Sequence, residues 1–306
     1  MTVTDTRDAG SRTEDRYPTR LPGTTQPIPR TDPTVWSTDD RTGPFAPAEL
    51  AGYAADGYSI VEGLLSPAEV HTYQSELARL AADPKLRKDE RIVVERESDE
   101  VRSIFEVHKI SGLIDQLVHD PRLQARARQI LGSDVYVHQS RVNYLPGFKG
   151  KGFYWHSDFE TWHAEDGMPL PRACSISVAL TENFPFNGGL MVLPGSHRTF
   201  VPCVGATPDN NYQKSLQEQE IGVPSQQDLA DLTNEYGIDQ FTGPAGSALV
   251  FDSNIMHGSG NNITPLARSN IFVVFNSVEN ALIDPYAADQ PRPDFIASRD
   301  FTPLSR

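Results

Sequence analysis

Val135-Tyr136-Val137-His138-Gln139-Ser140-Arg141-Val142-Asn143-Tyr144 begins three residues after Gly132, where the character of the chain changes. Its ends, Val135-Tyr136-Val137 and Val142-Asn143-Tyr144, are rich in β-branched and aromatic residues and read as strands. Cys174 to Leu180, Leu190 to Leu193, Ser247 to Phe251 and Ile271 to Phe275 read the same way, most of them bounded by Gly, Pro or Asn. Short strands separated by turn-rich loops point to an all-β barrel or sandwich rather than βαβ units. Upstream lies a short strand, Gly57-Tyr58-Ser59-Ile60-Val61, then Ser66-Pro67-Ala68-Glu69, which has the form of a helix start with a capping box. Val70, Tyr73, Leu77 and Leu80 follow at helical spacing and predict one buried stripe. A second helix is predicted from Asp120-Pro121 to Gly132, with Leu123, Ala127, Ile130 and Leu131 facing inward. A more polar insertion, 207–240, is expected to hold one helix near Gln226 to Tyr236. No internal repeat and no phosphate-binding glycine loop occurs. The chain therefore reads as mainly β with flanking helices.

Composition narrows the function. Apolar residues are 38% of 306, low for a compact domain, and the shortage is concentrated near the N-terminus. Residues 1–45 are rich in Thr, Pro, Arg and Asp without apolar periodicity, so a disordered or loosely draped arm is expected there. The domain proper is expected over 46–306. A net charge of −14 with no long basic run argues against nucleic acid and anionic membrane surfaces as partners. Two cysteines, Cys174 and Cys203, make no disulfide framework and fit reduced thiols in a cytoplasmic protein. The first twenty residues carry mixed charges and no apolar stretch, so no signal peptide is expected, and no run of about 18 apolar residues occurs that would predict a transmembrane helix.

The chemistry centres on Trp155-His156-Ser157-Asp158. On an extended chain residues i and i+2 point to one side, so the imidazole and carboxylate can reach a common point. Met256-His257-Gly258 follows the apolar strand Ala248-Leu249-Val250-Phe251, and strands distant in sequence become neighbours in a barrel. Two imidazoles and one carboxylate on one face of a metal leave the opposite face open, which suits iron(II). Arg268 stands at the start of the next strand, where its flat fork could grip a carboxylate in two parallel hydrogen bonds. His163 and His197 read as structural hydrogen-bonding groups, and Asp252 as a turn or supporting group rather than a ligand.

At these residues the chain resembles a family. Asn187-Gly188-Gly189-Leu190-Met191-Val192-Leu193-Pro194-Gly195-Ser196-His197 is similar to the hallmark segment of the phytanoyl-CoA dioxygenase superfamily. The run from Phe153-Tyr154-Trp155-His156-Ser157-Asp158-Phe159-Glu160-Thr161-Trp162-His163 to Met168-Pro169 resembles the signature of ectoine hydroxylases. The likeness spans about 46 to 295 and leaves out the N-terminal arm. It implies a double-stranded β-helix (jelly-roll or cupin-like) core, iron(II), 2-oxoglutarate and O2 as cofactor and co-substrates, and a homodimer. It also implies hydroxylation of L-ectoine to 5-hydroxyectoine, with 2-oxoglutarate yielding succinate and carbon dioxide.

By motif position the resemblance assigns iron to His156, Asp158 and His257. Related halogenases lack the carboxylate, so Asp158 points to hydroxylation. Arg268 falls at the 2-oxoglutarate anchor, and Asn143, Phe153 and Ser259 where further co-substrate contacts are expected. Gln139, Thr161, Trp162, Ser175, Phe272 and Arg292 fall where ectoine contacts are expected. The residue types suit that ring: a tryptophan face attracts its amidinium, Arg292 or Thr161 could take its carboxylate, and Gln139 could bond a ring nitrogen. Three alternatives stay open on sequence alone. They are a hydroxylase of another small amino-acid-like molecule such as proline, a non-catalytic barrel that binds a small solute, and a zinc-loaded hydrolase or isomerase.

Overall fold

A computed structural model describes residues 14–23, 25–37, 43–95, 100–216 and 219–305. Among them the strands, in chain order, are β1 (Ile28–Pro29), β2 (Tyr58–Val61), β3 (Ile92–Val94), β4 (Val101–Phe105), β5 (Val135–Leu145) and β6 (Phe153–His156). They continue with β7 (Ala173–Ala179), β8 (Leu190–Val192), β9 (Thr199–Phe200), β10 (Asp239–Gln240), β11 (Ala248–Asp252), β12 (His257–Ser259) and β13 (Arg268–Ser277). The larger sheet runs β2-β11-β7-β13-β5-β4-β3, the smaller β10-β8-β12-β6, and β1 pairs with β9. All the pairings are antiparallel.

The two faces of the larger sheet follow from period-two alternation. On β13, Ile271, Val273 and Phe275 join an apolar cluster with Leu77, Leu80, Leu123 and Ile130 of the helices. Phe272 turns the other way, into a cluster with Leu190, Val192, Leu249 and Phe251 that joins the two sheets. Each such side chain, fully buried, contributes roughly 1.5–3 kcal/mol. Polar positions on the second face therefore look into the space enclosed by the two sheets.

The helix signals behave as their chemistry dictates. Pro67–Ala82 starts at Ser66, whose Oγ accepts from Glu69 N at 3.3 Å, while Glu69 Oε2 accepts from Ser66 N at 2.7 Å. Val70, Tyr73, Leu77 and Leu80 are its buried residues. Pro121–Leu131 is capped by Asp120 and ends at Gly132 with φ 64°. A Cβ at Gly132 would stand 2.7 Å from the Trp36 carbonyl oxygen, so glycine serves both the turn and the close crossing of the chain. Gln226–Tyr236 is helical, as predicted. Helix Pro47–Asp56, which sequence reading passed over, carries similar signals, with Pro47 at its start, Glu49 accepting from Ala46 N at 2.7 Å and Gly57 at its end. Gly112–Val118 is capped by Ser111, and Val107–Ile110 is a single short turn. No helix among the described residues is long and apolar enough to cross a membrane.

Two differences bear on the site. The stretch from Val135 to Leu145 is one unbroken strand, not two. And where composition suggests a loose arm, residues 14–23 and 25–37 run along the core, with Tyr17, Thr19 and Arg20 buried. Ion pairs and aromatic contacts hold this segment, and apolar periodicity cannot register them. Phe45, also within that stretch, is buried in the main apolar cluster, while residues 1–13, 24 and 38–42 lie outside the described ones.

Candidate active site

His156, the last residue of β6, and His257, the first of β12, are register partners across the smaller sheet. Their ring centroids lie 4.3 Å apart. Ser157 keeps an extended backbone (φ −103°, ψ 129°) and caps the short helix Asp158–Thr161 with its side chain. Asp158 thus sits on the first helical residue, just past the strand end, and its carboxylate still turns back to the histidines. Asp158 Oδ1 is 3.7 Å from His156 Nε2, and Oδ2 is 3.9 Å from His257 Nε2. One donor atom from each of the three residues falls within 4.8 Å of the others.

The tautomers are fixed by the backbone. His156 Nδ1 lies 2.7 Å from the Tyr154 carbonyl and His257 Nδ1 lies 3.0 Å from the Ile255 carbonyl. A carbonyl only accepts, so both Nδ1 atoms carry hydrogen and both Nε2 lone pairs face the centre. Burial, reinforced by the neighbouring His257, pushes His156 down to about 4, so the imidazole is neutral near pH 7. Two imidazole nitrogens and one carboxylate on one side of a common point fit the facial arrangement preferred by iron(II).

Arg268 opens β13 opposite Leu145, on the same strand face as Asn270 and Phe272. It is buried, its Nε has no hydrogen-bond partner, and burial alone lowers the guanidinium to about 10. No carboxylate among the described residues forms a salt bridge with it. It lines a cavity together with Asn143, Phe153, Ser259, Phe272, His156 and His257. Ser259 Oγ accepts from Phe153 N at 3.0 Å, and Asn143 Oδ1 accepts from Ser103 Oγ at 2.8 Å, which fixes both side chains. Leaving a guanidinium buried and unpaired costs several kcal/mol, a cost that an anionic ligand removes. The cavity is built to take a carboxylate next to the histidines.

A second cleft opens on the other side of His156 and Asp158. Gln139, Thr161, Trp162 and Arg292 line it, and Phe153 is common to both spaces. Gln139 is held by its Nε2 donating to the Ile296 carbonyl at 2.7 Å. Trp162 meets His138 edge-on at 4.9 Å. Arg292 forks onto buried Asp166 through Nε (2.8 Å) and Nη2 (2.5 Å). Ser175 on β7 sits behind Asp158, donating to its Oδ2 at 3.4 Å. Phe272 lines the Arg268 cavity, against Phe251 and the Arg141 guanidinium. Of the six residues expected to touch the substrate, four thus share this cleft and Ser175 and Phe272 lie apart from it.

Arg141 is the residue that sequence reasoning missed. It faces Phe272 across β5 and β13 and lines both cavities. Its Nε is unpaired, and burial lowers its guanidinium below the usual value. The signal was available, because Gln139 and Asn143 flank it at two-residue spacing on the same strand face. The other tempting groups are structural. His163 stacks on Tyr286, His197 Nε2 bonds the Ala54 carbonyl, and Asp252 pairs with Arg30.

An antiparallel jelly roll that holds two histidines and one carboxylate beside an unpaired buried arginine defines a metal-dependent site built to take an organic acid. The chain belongs to the phytanoyl-CoA dioxygenase family, whose profile matches residues 53–270. It is 63% identical to the ectoine dioxygenase of Nocardia farcinica over 290 residues, covering 95% of both chains. It is 58% identical to that of Streptomyces coelicolor, over 95% of this chain and 97% of the relative. Among solved structures it is similar to EctD from S. alaskensis with bound Fe, at TM-score 0.86 and 44% identity, covering 95% of this chain and 97% of the other. It is similar at TM-score 0.85 and 45% identity to the same enzyme with 2-oxoglutarate and 5-hydroxyectoine, covering 94% and 95%. The jelly-roll core expected from the sequence is the fold of this chain.

Proposed function

We propose that this chain hydroxylates L-ectoine to 5-hydroxyectoine, using iron(II), 2-oxoglutarate and dioxygen. His156, Asp158 and His257 hold the metal through Nε2, a carboxylate oxygen and Nε2. Bound iron(II) supplies the redox chemistry that couples decarboxylation of 2-oxoglutarate, to succinate and carbon dioxide, with transfer of one oxygen atom of O2 to the substrate. Arg268 takes the far carboxylate of 2-oxoglutarate in a bidentate grip, and Asn143, Phe153 and Ser259 shape the walls around it. Across the centre, the Trp162 face receives the ectoine amidinium, with Gln139 and Thr161 as hydrogen-bonding partners. Arg141 and the free side of the Arg292 fork are the cations available to the ectoine carboxylate. Phe272 closes the cavity from β13, and Ser175 acts through Asp158. Enclosure between the sheets limits water and fixes which ring carbon faces the metal.

The observation that carries this reading is the unpaired buried guanidinium of Arg268 beside three converged metal donors. The likeness to ectoine dioxygenases over 95% of the chain supplies the substrate. The test is mass spectrometry of ectoine after incubation with enzyme, iron(II), ascorbate and 2-oxoglutarate. A gain of one oxygen atom matched by succinate is expected; fully iron-loaded enzyme that leaves ectoine unchanged defeats the proposal.

The setting is proposed with it. Residues 46–306 form the catalytic domain, onto which residues 14–23 and 25–37 fold. Two free buried thiols, Cys174 and Cys203, support a cytoplasmic location. The family resemblance supports a homodimer, which light scattering on the purified protein tests.

A further inference from the structure

The segment Trp162–Asp166, which carries substrate-cleft residues, is wound as a π-helix, with the Gly167 amide bonding back to the Trp162 carbonyl. A π turn takes more residues than an α turn, so along the run from the α turn Asp158–Thr161 into Trp162–Asp166 residues five apart come nearer to one face than unbroken α winding would bring them. Glu160 and Glu165 are five apart, both buried, and both are met by one side chain from far away in the sequence. Arg20 donates from Nε and Nη2 to Glu160 at 2.6 and 2.8 Å, and from Nη1 to Glu165 at 3.2 Å.

We propose that Arg20 is a positioning residue for the substrate cleft: by bridging Glu160 and Glu165 it holds the wide turn that aims Trp162 and the Asp166–Arg292 pair at the substrate. The inference rests on ectoine being the substrate and adds a component outside the residues 53–270 matched by the family profile. The surroundings of Arg20 are built for this pose. Its backbone is held at φ 60°, a strained value for a non-glycine residue that persists only where neighbours enforce it. Thr19 Oγ1 donates to Glu160 Oε1 at 2.7 Å, and Asn211 Nδ2 donates to Glu165 Oε1 at 2.9 Å. Gly222 (φ 79°) closes over the pair, since a Cβ there would stand 2.4 Å from Arg20 Nη2 and 2.7 Å from Glu160 Oε2. Without Arg20, two buried carboxylates one turn apart would repel. Relaxation to α winding would then rotate Glu165 and Asp166, and Arg292 with them, relative to Trp162.

Arg20→Lys keeps the charge and loses the fork that spans two carboxylates. In the full-length, iron-loaded variant the KM for ectoine is expected to rise about tenfold or more, with succinate formed in clear excess over hydroxyectoine. The KM for 2-oxoglutarate is expected to stay within about twofold, because Arg268 lies on β13, away from the clamp. Should Arg20→Lys fail to fold, Glu165→Gln leaves the Arg20–Glu160 fork intact and should shift ectoine KM and coupling in the same direction by about threefold. Folded variants with wild-type ectoine KM and wild-type coupling, whatever their melting temperature, overturn the inference, because a purely structural strap would move stability alone. Wild-type enzyme in parallel separates this from the reading beneath it. Inertness towards ectoine defeats both, whereas an active wild type with an indistinguishable Arg20→Lys variant defeats only the clamp.

Discussion

The guanidinium carbon of Arg141 lies 4.8 Å from the centre of the Phe272 ring, across the β5–β13 pairing, and no carboxylate among the described residues forms a salt bridge with it. A ring face compensates a buried cation only weakly, so this position is kept at a cost in stability. Arg141→Met should leave the melting temperature unchanged or raise it, while kcat/KM for ectoine falls about 10- to 100-fold. Calorimetry beside steady-state kinetics checks this; a large drop in melting temperature would show that Arg141 is structural.

Arg268→Lys removes the planar fork but keeps a cation. Charge-assisted hydrogen bonds contribute about 1.5–3 kcal/mol each, so the KM for 2-oxoglutarate should rise at least about tenfold. The KM for ectoine should change little. Titration of succinate production against each substrate separates the two effects, and an equal rise in both would count against Arg268 as the co-substrate anchor.

Substituting one metal donor should empty the centre without unfolding the chain. Asp158→Ala or His257→Ala is expected to lower iron affinity by more than about 100-fold, beyond the range typical for supporting residues around a metal. Metal analysis after anaerobic loading reads this directly, and circular dichroism checks that the jelly roll is intact.

Acid should act through carboxylates held below their ordinary range. Burial works against ionised Glu160, yet the Arg20 guanidinium outweighs it and lowers the pKa; Glu69 is lowered to about 2 by Arg122 and Ser66. A group with a depressed folded pKa lends stability above its unfolded value, about 4.3, and loses it as pH falls through the folded value. The melting temperature should therefore hold from about pH 7 to 5 and fall below about 4.5. Glu160→Gln should start lower at neutral pH and lose less on acidification. Glu69, its side chain 38% exposed and its ion pair screened by solvent, should contribute less than about 1 kcal/mol to this slope.

How much of this was legible in the sequence follows from which signals are local. Ser66 and Glu69 announce their helix three residues apart, and Asp120-Pro121 with Gly132 bounds the next, because caps are written in adjacent residues. His156 and Asp158 are near in sequence, so their convergence needed only an extended Ser157. β5 read as two strands because His138, Gln139, Ser140 and Arg141 interrupt its apolar pattern. They are polar because part of that strand lines the site, so function hid the fold. Arg20 was invisible for the opposite reason: its partners lie 140 and 145 residues away, and a Thr- and Arg-rich segment gives no periodic sign of burial.

β13 alternates between two environments along its length. Arg268, Asn270 and Phe272 share one face, from which Arg268 and Phe272 line the cavity beside the histidines, while Ile271, Val273 and Phe275 are locked against the helices. Inserting or deleting a single residue ahead of the irregularity at Val274/Phe275 would exchange those sets, placing aliphatic groups in the cavity beside the histidines and a guanidinium inside the oily layer. Side-chain exchange on this strand can retune which solute is accepted; changes in its length cannot.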